Sequence, residues 1–95
     1  LSGFPALSTK QGMLFVFPQM GIYPFWMKDM NFPIDIVWID HNDVVIDRAI
    51  NVTPDSYPKT FVSKGLAVFA LELSAHHADK YGFTIGSHVK IQNNK

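Results

Sequence analysis

The sequence predicts a mainly β protein of the α+β class: a small, closed or nearly closed antiparallel β-barrel with one short helix. Three observations carry that expectation. Glycine, proline and Asp/Asn/Ser clusters cut the chain into many short apolar runs, the punctuation of strands joined by turns. Several of those runs are apolar at consecutive positions, as strands covered on both faces are. One stretch alone, SAHHADKYG at 74–82, reads as a helix with a cap and a terminal glycine. A chain of 95 residues holds one domain, and a sheet that curls on itself accommodates strands buried on both sides.

The elements follow in order. LSGFPALSTKQ, residues 1–11, reads as loop, punctuated by Gly3 and Pro5. GMLFVF, bounded by Gly12 and Pro18, predicts a strand buried on both faces. After the connection PQMGIYP, residues 25–30 form a second candidate strand. Asn31 and Pro33 interrupt it, since proline cannot donate to a ladder. Residues 34–39, β-branched and aromatic, predict a strong strand. DHND at 40–43 is a hairpin turn, whose Asp and Asn side chains bond their own backbone and tolerate left-handed conformations. Residues 44–52 alternate apolar and polar and are expected to pair antiparallel with 34–39. TPDSYP is a loop, KTFVS a short strand, and LAVFALEL a strand apolar on both faces apart from Glu72. Ser74 is the expected N-cap of a two-turn helix, and Gly82 its left-handed C-terminal residue. FTIGSHVKI supplies a turn at Gly86 and a closing strand. QNNK is a polar tail.

Composition excludes several classes. Apolar residues make up 47% of the chain and eight are phenylalanine, ample for a core and incompatible with intrinsic disorder. Eight Lys plus Arg balance eight Asp plus Glu, with no basic run, so electrostatic nucleic-acid binding has no support. The absence of cysteine removes disulfides, thiolate zinc sites and a cysteine nucleophile. No apolar run approaches the roughly 20 residues that span a bilayer. No targeting segment is read within these 95 residues, which fits an exported or a cytoplasmic location alike. Serine-nucleophile, phosphate-loop and dinucleotide motifs are absent, and no cofactor is implied.

The candidate ligand-binding residues are the ionisable groups set in apolar context, Lys28, Asp29, Asp35, Arg48 and Glu72, together with Trp26. Isolated buried charges are costly, so such groups are paired or line a cleft. Strand alternation puts Asp35 with Val37 and Ile39, Arg48 with Ile46 and Ile50, and Glu72 with Val68 and Ala70. One reading assembles a polar site at one end of the barrel. There Lys28 holds a substrate carboxylate or phosphate, and a carboxylate of raised pKa serves as general base. The other reading is a buried ion pair that fixes register, and it is favoured for Asp35, with Lys28 as the expected partner.

Four methionines (13, 20, 27 and 30) and four histidines (41, 76, 77 and 88) offer the thioether and imidazole ligands that suit Cu(I). Met13 and Met27, however, read as gap fillers in apolar strands. His76 and His77 point about 100 degrees apart on a helix, so no metal is expected. Of the aromatic residues, Tyr23 and Tyr57, each in a loop beside a proline, are expected at the surface.

GMLFVF, FWMKDMNFPIDIVWID and LELSAHHADKYGFTIGSHV together resemble the domain-of-unknown-function 192 family, nearly end to end as far as Val89. The resemblance implies a small β-rich domain and carries no activity. Three positions depart from the family pattern: Asp29 where asparagine is usual, His76 where glycine is usual, and Ser87 where aspartate follows glycine. The resemblance also implies a strand and a basic residue ahead of Leu1. The chain is therefore expected to be a single domain over 1–95 without that first strand, open to self-association through the edge of GMLFVF. The functional expectation is a non-enzymatic accessory module holding a small molecule or peptide near Trp26, Lys28, Asp35 and Glu72. The alternatives are a hydrolase or lyase built on the same polar group and a Met/His copper-binding protein.

Overall fold

The computed structural model describes residues 12–90. Its strands are β1 (Met13–Gly21), β2 (Phe25–Trp26), β3 (Ile34–Ile39), β4 (Val45–Val52), β5 (Thr60–Phe61) and β6 (Ala67–Ser74). A 3-10 turn occupies Pro54–Ser56, and the one α-helix among the described residues, α1, is His77–Lys80. The main sheet runs β1-β6-β3-β4, and β2 pairs with β5 in a separate ribbon. All pairings are antiparallel. The loop expected at 1–11 and the polar tail lie outside the described residues.

β3 is buried at all six positions because it is an inner strand with a cover on each face. Ile34, Ile36 and Trp38 pack against Phe25, Met27 and Met30, which belong to the β2 layer and the turn after it. Val37 and Ile39 pack on the opposite face against Ala78 of α1, with Phe83 and Val89 beyond. The result is three layers: the ribbon, the main sheet, and the helical turn with its following segment.

The mainly antiparallel β content and the single short helix agree with expectation, but the sheet does not close into a barrel. β1 and β4 are its outer strands and do not pair with each other. Unbroken apolar runs suggested strands inside a closed sheet. In β3 the double burial instead comes from two separate covering layers. In β1 it is absent: Met13, Phe15 and Phe17 are half-buried, while Leu14 and Val16 are 41% and 67% exposed. An edge strand with one uncovered face has the same apolar sequence as one buried twice.

The β3–β4 hairpin forms as expected. Asp40 Oδ1 accepts from the N–H groups of Asn42 (2.9 Å) and Val44 (3.0 Å), and Asp43 takes a left-handed φ of 62°. The pairing slips twice. Trp38 faces Asp47 but Ile39 faces Val45, and Ile34 faces Val52 but Ile36 faces Ala49. β4 therefore carries an extra residue at each slip, which are β-bulges. The second bulge contains Asn51, whose φ is 52°.

Other elements are shorter than expected. The chain leaves β2 at a turn through Lys28 and Asp29, closed by Met30 N–H donating to Met27 O at 3.1 Å. Both methionines are thereby buried in the core. Residues 83–90 make only a single bridge, Val44 to His88. They are hooked to β4 by Gly86 N–H to Val45 O (2.8 Å) and Val45 N–H to Ser87 O (2.9 Å), after the turn at Gly86, whose φ is 92°.

The helix is one turn, not two, and Ser74 is not its cap: Ser74 ends β6, opposite Ile34. The N-cap is His76, at φ 70° and without a side-chain capping bond. Gly82, at φ 80°, closes the helix as expected, with Phe83 N–H donating to Ala78 O at 2.8 Å. A left-handed backbone costs a residue with a Cβ about 1 kcal/mol, which glycine does not incur. His76→Gly is therefore expected to raise stability by roughly 0.5–1 kcal/mol in urea denaturation. An unchanged midpoint would mean that histidine fits this conformation without strain.

Candidate functional site

The sheet separates the residues that the sequence suggested as one polar group. Asp35 stands opposite Leu73, whereas its neighbour Ile36 stands opposite Glu72. Asp35 and Glu72 therefore project from opposite faces of the main sheet.

Asp35, wholly buried, lies on the helix side. Its Oδ1 accepts from Asn51 N–H at 2.9 Å and its Oδ2 from Ala78 N–H at 2.8 Å. Both donors come from backbone that cannot satisfy them locally. Asn51 sits in the β4 bulge with its peptide rotated out of the ladder. Ala78 is in the first turn of α1, where N–H groups have no helical partner. The carboxylate thus joins β3, the β4 bulge and the start of α1.

The expected Lys28–Asp35 pair does not form. The turn bearing Lys28 lies in the layer over Ile34 and Ile36, with the main sheet between it and Asp35. Lys28 is exposed, and its Nζ lies 5.8 Å from the Trp26 ring centroid. Since nothing buried depends on it, Lys28→Ala is expected to change stability by less than about 0.5 kcal/mol. A loss of several kcal/mol in chemical denaturation would restore the buried pair.

Arg48 stands opposite Val37, on Asp35's face. Its Nη1 donates to Asp79 Oδ1 at 2.7 Å and to Phe83 O at 2.9 Å. Asp35 and Arg48 therefore fasten the two ends of the α1 segment to the sheet. Asp47, a buried residue that sequence reasoning passed over, accepts from Arg48 N–H (2.8 Å) and Lys64 N–H (2.9 Å). It ties the first β4 bulge to the loop before β6. Its one sequence trace was a polar residue among the alternating positions of 44–52.

Glu72 differs from these. On the other face, between Met13 of β1 and Ile36 of β3, it is 1% exposed, and among the described residues its Oε2 has no hydrogen-bond partner. Burial pushes its carboxyl up to about 7. Trp38 Nε1, at a diagonal position on the same face, also has no partner among the described residues.

Trp26 is half-buried in the ribbon, its ring 5.2 Å from that of Tyr57, which is 43% exposed as expected. Tyr23, expected at the surface, instead stacks on Phe17 at 3.7 Å and donates its hydroxyl to Gln19 O at 2.6 Å. The methionines and histidines are dispersed: Met27 and Met30 in the core, Met20 exposed on β1, His41 and His88 exposed in connections. Among the described residues no group of three or more His, Cys, Asp or Glu could hold a metal ion.

The departures from the family pattern fall at turns. Asp29 and His76 have φ of 61° and 70°, and Ser87 follows Gly86 at 92°. The Ser87 hydroxyl donates to Thr84 O at 2.6 Å. Asparagine and glycine are the residues that best tolerate a left-handed backbone, so either would suit the backbone at Asp29 and His76.

An open antiparallel sheet covered by a two-stranded ribbon on one face and a helical turn on the other defines a small α+β domain. The chain belongs to the DUF192 family (Uncharacterized ACR), whose model matches residues 1–91. It is similar in fold to a protein of unknown function from Novosphingobium aromaticivorans, with a TM-score of 0.83 and 24% identity over 96% of this chain and 64% of the other. It is also similar to a candidate transcription regulator from Sinorhizobium meliloti, with a TM-score of 0.79 and 24% identity over 90% of this chain and 66% of the other. The chain thus spans a little under two thirds of the length of both proteins. Comparison with curated proteins gives no match. Among the described residues no helix is long and apolar enough to cross a membrane.

Proposed function

We propose that this domain is a non-enzymatic binding module whose recognition surface is the outer side of the β2–β5 ribbon. The observation that carries this reading is the convergence of Trp26, Tyr57 and Lys28 there, with ring centroids 5.2 Å apart and the ammonium 5.8 Å from the indole. Two aromatic faces beside a cation suit a ligand with a flat apolar body and an anionic group, in a small molecule or at a peptide side chain or C-terminus.

The hydrolase or lyase alternative has less support. It needs a carboxylate and a cation converging on open space. Asp35 is occupied by two backbone N–H groups and Arg48 by Asp79 and Phe83. Lys28 lies over Trp26. A nucleic-acid-binding role has less support too, because a chain of zero net charge without clustered cations lacks the basis for phosphate contacts.

Tryptophan fluorescence tests the proposal. Trp38 is buried, so a ligand's effect on emission reports Trp26. A panel of aromatic carboxylates and short peptides is expected to include members that quench emission saturably. Trp26→Leu and Lys28→Ala are expected to weaken that binding about tenfold or more while the protein stays folded. No saturable response, or equal affinity in both variants, would refute it.

A further inference from the structure

We infer that the ligand of the ribbon surface is the C-terminus of a peptide ending in an aromatic residue, and that Thr60 is a further recognition residue there. The inference rests on the reading of Trp26, Tyr57 and Lys28 as a binding surface and names the class of ligand that surface takes. Thr60 is the cross-strand partner of Trp26, so the two side chains leave the ribbon on one face, with their Cβ atoms about 5 Å apart. The other pair, Phe25 and Phe61, turns to the core, where Phe25 is buried and Phe61 half-buried. Trp26 and Thr60 therefore belong to the outer face. Thr60 is exposed and puts a hydroxyl, which both donates and accepts, beside the indole.

The charge on this face suits an anion. Lys28 is exposed, its Nζ 5.8 Å from the Trp26 centroid. Among the described residues the one ion pair lies elsewhere, between Arg48 and Asp79, so neither Asp29 nor Asp55 neutralises Lys28. Asp55 accepts instead from the Thr53 hydroxyl. Two aromatic faces, an ammonium and a hydroxyl thus sit within three residues of a single cross-strand pair. A C-terminal phenylalanine, tyrosine or tryptophan carries the matching set equally close together. Its ring lies against Trp26 and Tyr57, its carboxylate meets Lys28, and its amide N–H donates to Thr60 Oγ1. An acidic side chain within a peptide brings no ring of its own. An aromatic carboxylate without an amide leaves Thr60 unused.

Titration calorimetry tests this with four probes: acetyl-alanyl-phenylalanine, its C-terminal amide, its analogue N-methylated at the phenylalanine nitrogen, and 3-phenylpropanoate. The peptide acid is expected to bind wild type about tenfold or more tighter than the peptide amide. It is expected to bind about three- to tenfold tighter than the N-methylated peptide and phenylpropanoate, which lack the amide N–H. Thr60→Val keeps the side-chain shape and suits a strand. It is expected to erase the advantage over those two probes while leaving their own affinity unchanged, and Thr60→Ser is expected to keep the advantage. Equal affinity of wild type for the peptide acid and its N-methylated analogue would overturn the inference, as would an advantage that survives Thr60→Val. Phenylpropanoate binding that depends on Trp26, without any advantage for the peptide acid, would refute the inference and leave the surface reading standing. Binding of none of the four would overturn it outright.

Discussion

Asp35→Ala is expected to lower folding stability by roughly 3–4 kcal/mol, because it removes the acceptor of two backbone N–H groups at once, each worth about 1–3 kcal/mol when stranded in the interior. Those groups, Asn51 N–H and Ala78 N–H, belong to a bulge and a first helical turn, and neither is placed to use a ladder or helix acceptor. Asp35→Asn is expected to cost less, about 2 kcal/mol. It keeps one acceptor oxygen and turns an amide N–H toward the second donor. Urea denaturation of both variants measures this. A loss under about 1 kcal/mol for the alanine variant would mean that water or another acceptor already serves the two amides.

The second large effect has the opposite sign and depends on pH. Glu72 titrates at about 7 in the folded protein against 4.5 for the free side chain. Below pH 4.5 both states carry the proton and the folded protein has the full benefit of a neutral Glu72. Between 4.5 and 7 the unfolded chain releases its proton first, so wild-type stability falls as pH rises. Above 7 both states are ionised and the benefit is gone, a loss of about 3 kcal/mol at 1.36 kcal/mol per pH unit. Glutamine keeps the shape and cannot ionise. Glu72→Gln is therefore expected to match wild type near pH 4 and to exceed it by about 3 kcal/mol at pH 8. A pH-independent difference between the two proteins, read from denaturation midpoints across that range, would contradict the account.

What the sequence disclosed was local. Alternation over 44–52 and the Asx-rich turn specify the hairpin because both work within a few residues, and Asp40 bonds to N–H groups two and four positions away. Gly82 and Gly86 signalled left-handed turns for the same reason. His76 and Asn51 adopt the same conformation without glycine's signature, so the true helix start and the second bulge were hidden. The layers were not legible either. β1 and β3 are both apolar runs, and only the packing of other segments buries one twice and leaves Leu14 and Val16 of the other exposed.

The polar residues show the same limit. Alternation assigns faces within a strand, but comparing Asp35 with Glu72 requires the register between β3 and β6. The partners of Asp35 are backbone amides 16 and 43 residues away, and a backbone N–H leaves no mark in a sequence. Lys28, the nearest cation in the chain, was the visible candidate and lies beyond the sheet. The buried character of Glu72 was foreseeable from LAVFALEL; that its Oε2 meets no donor among the described residues was not.

The central claim is that Asp35 is spent on holding the β4 bulge and the start of α1 to the middle strand, and is unavailable for chemistry. Native-state hydrogen exchange at Asn51 and Ala78, in wild type and in Asp35→Asn, tests it most directly. The account predicts that both amides are protected in wild type to the level of the β3–β4 ladder. In the variant both are expected to exchange faster by a larger factor than the amides of Val37 and Trp38 in the middle strand, which lie outside the Asp35 contact. Rapid exchange of both amides in wild type, or an equal loss of protection across all four positions in the variant, would contradict it.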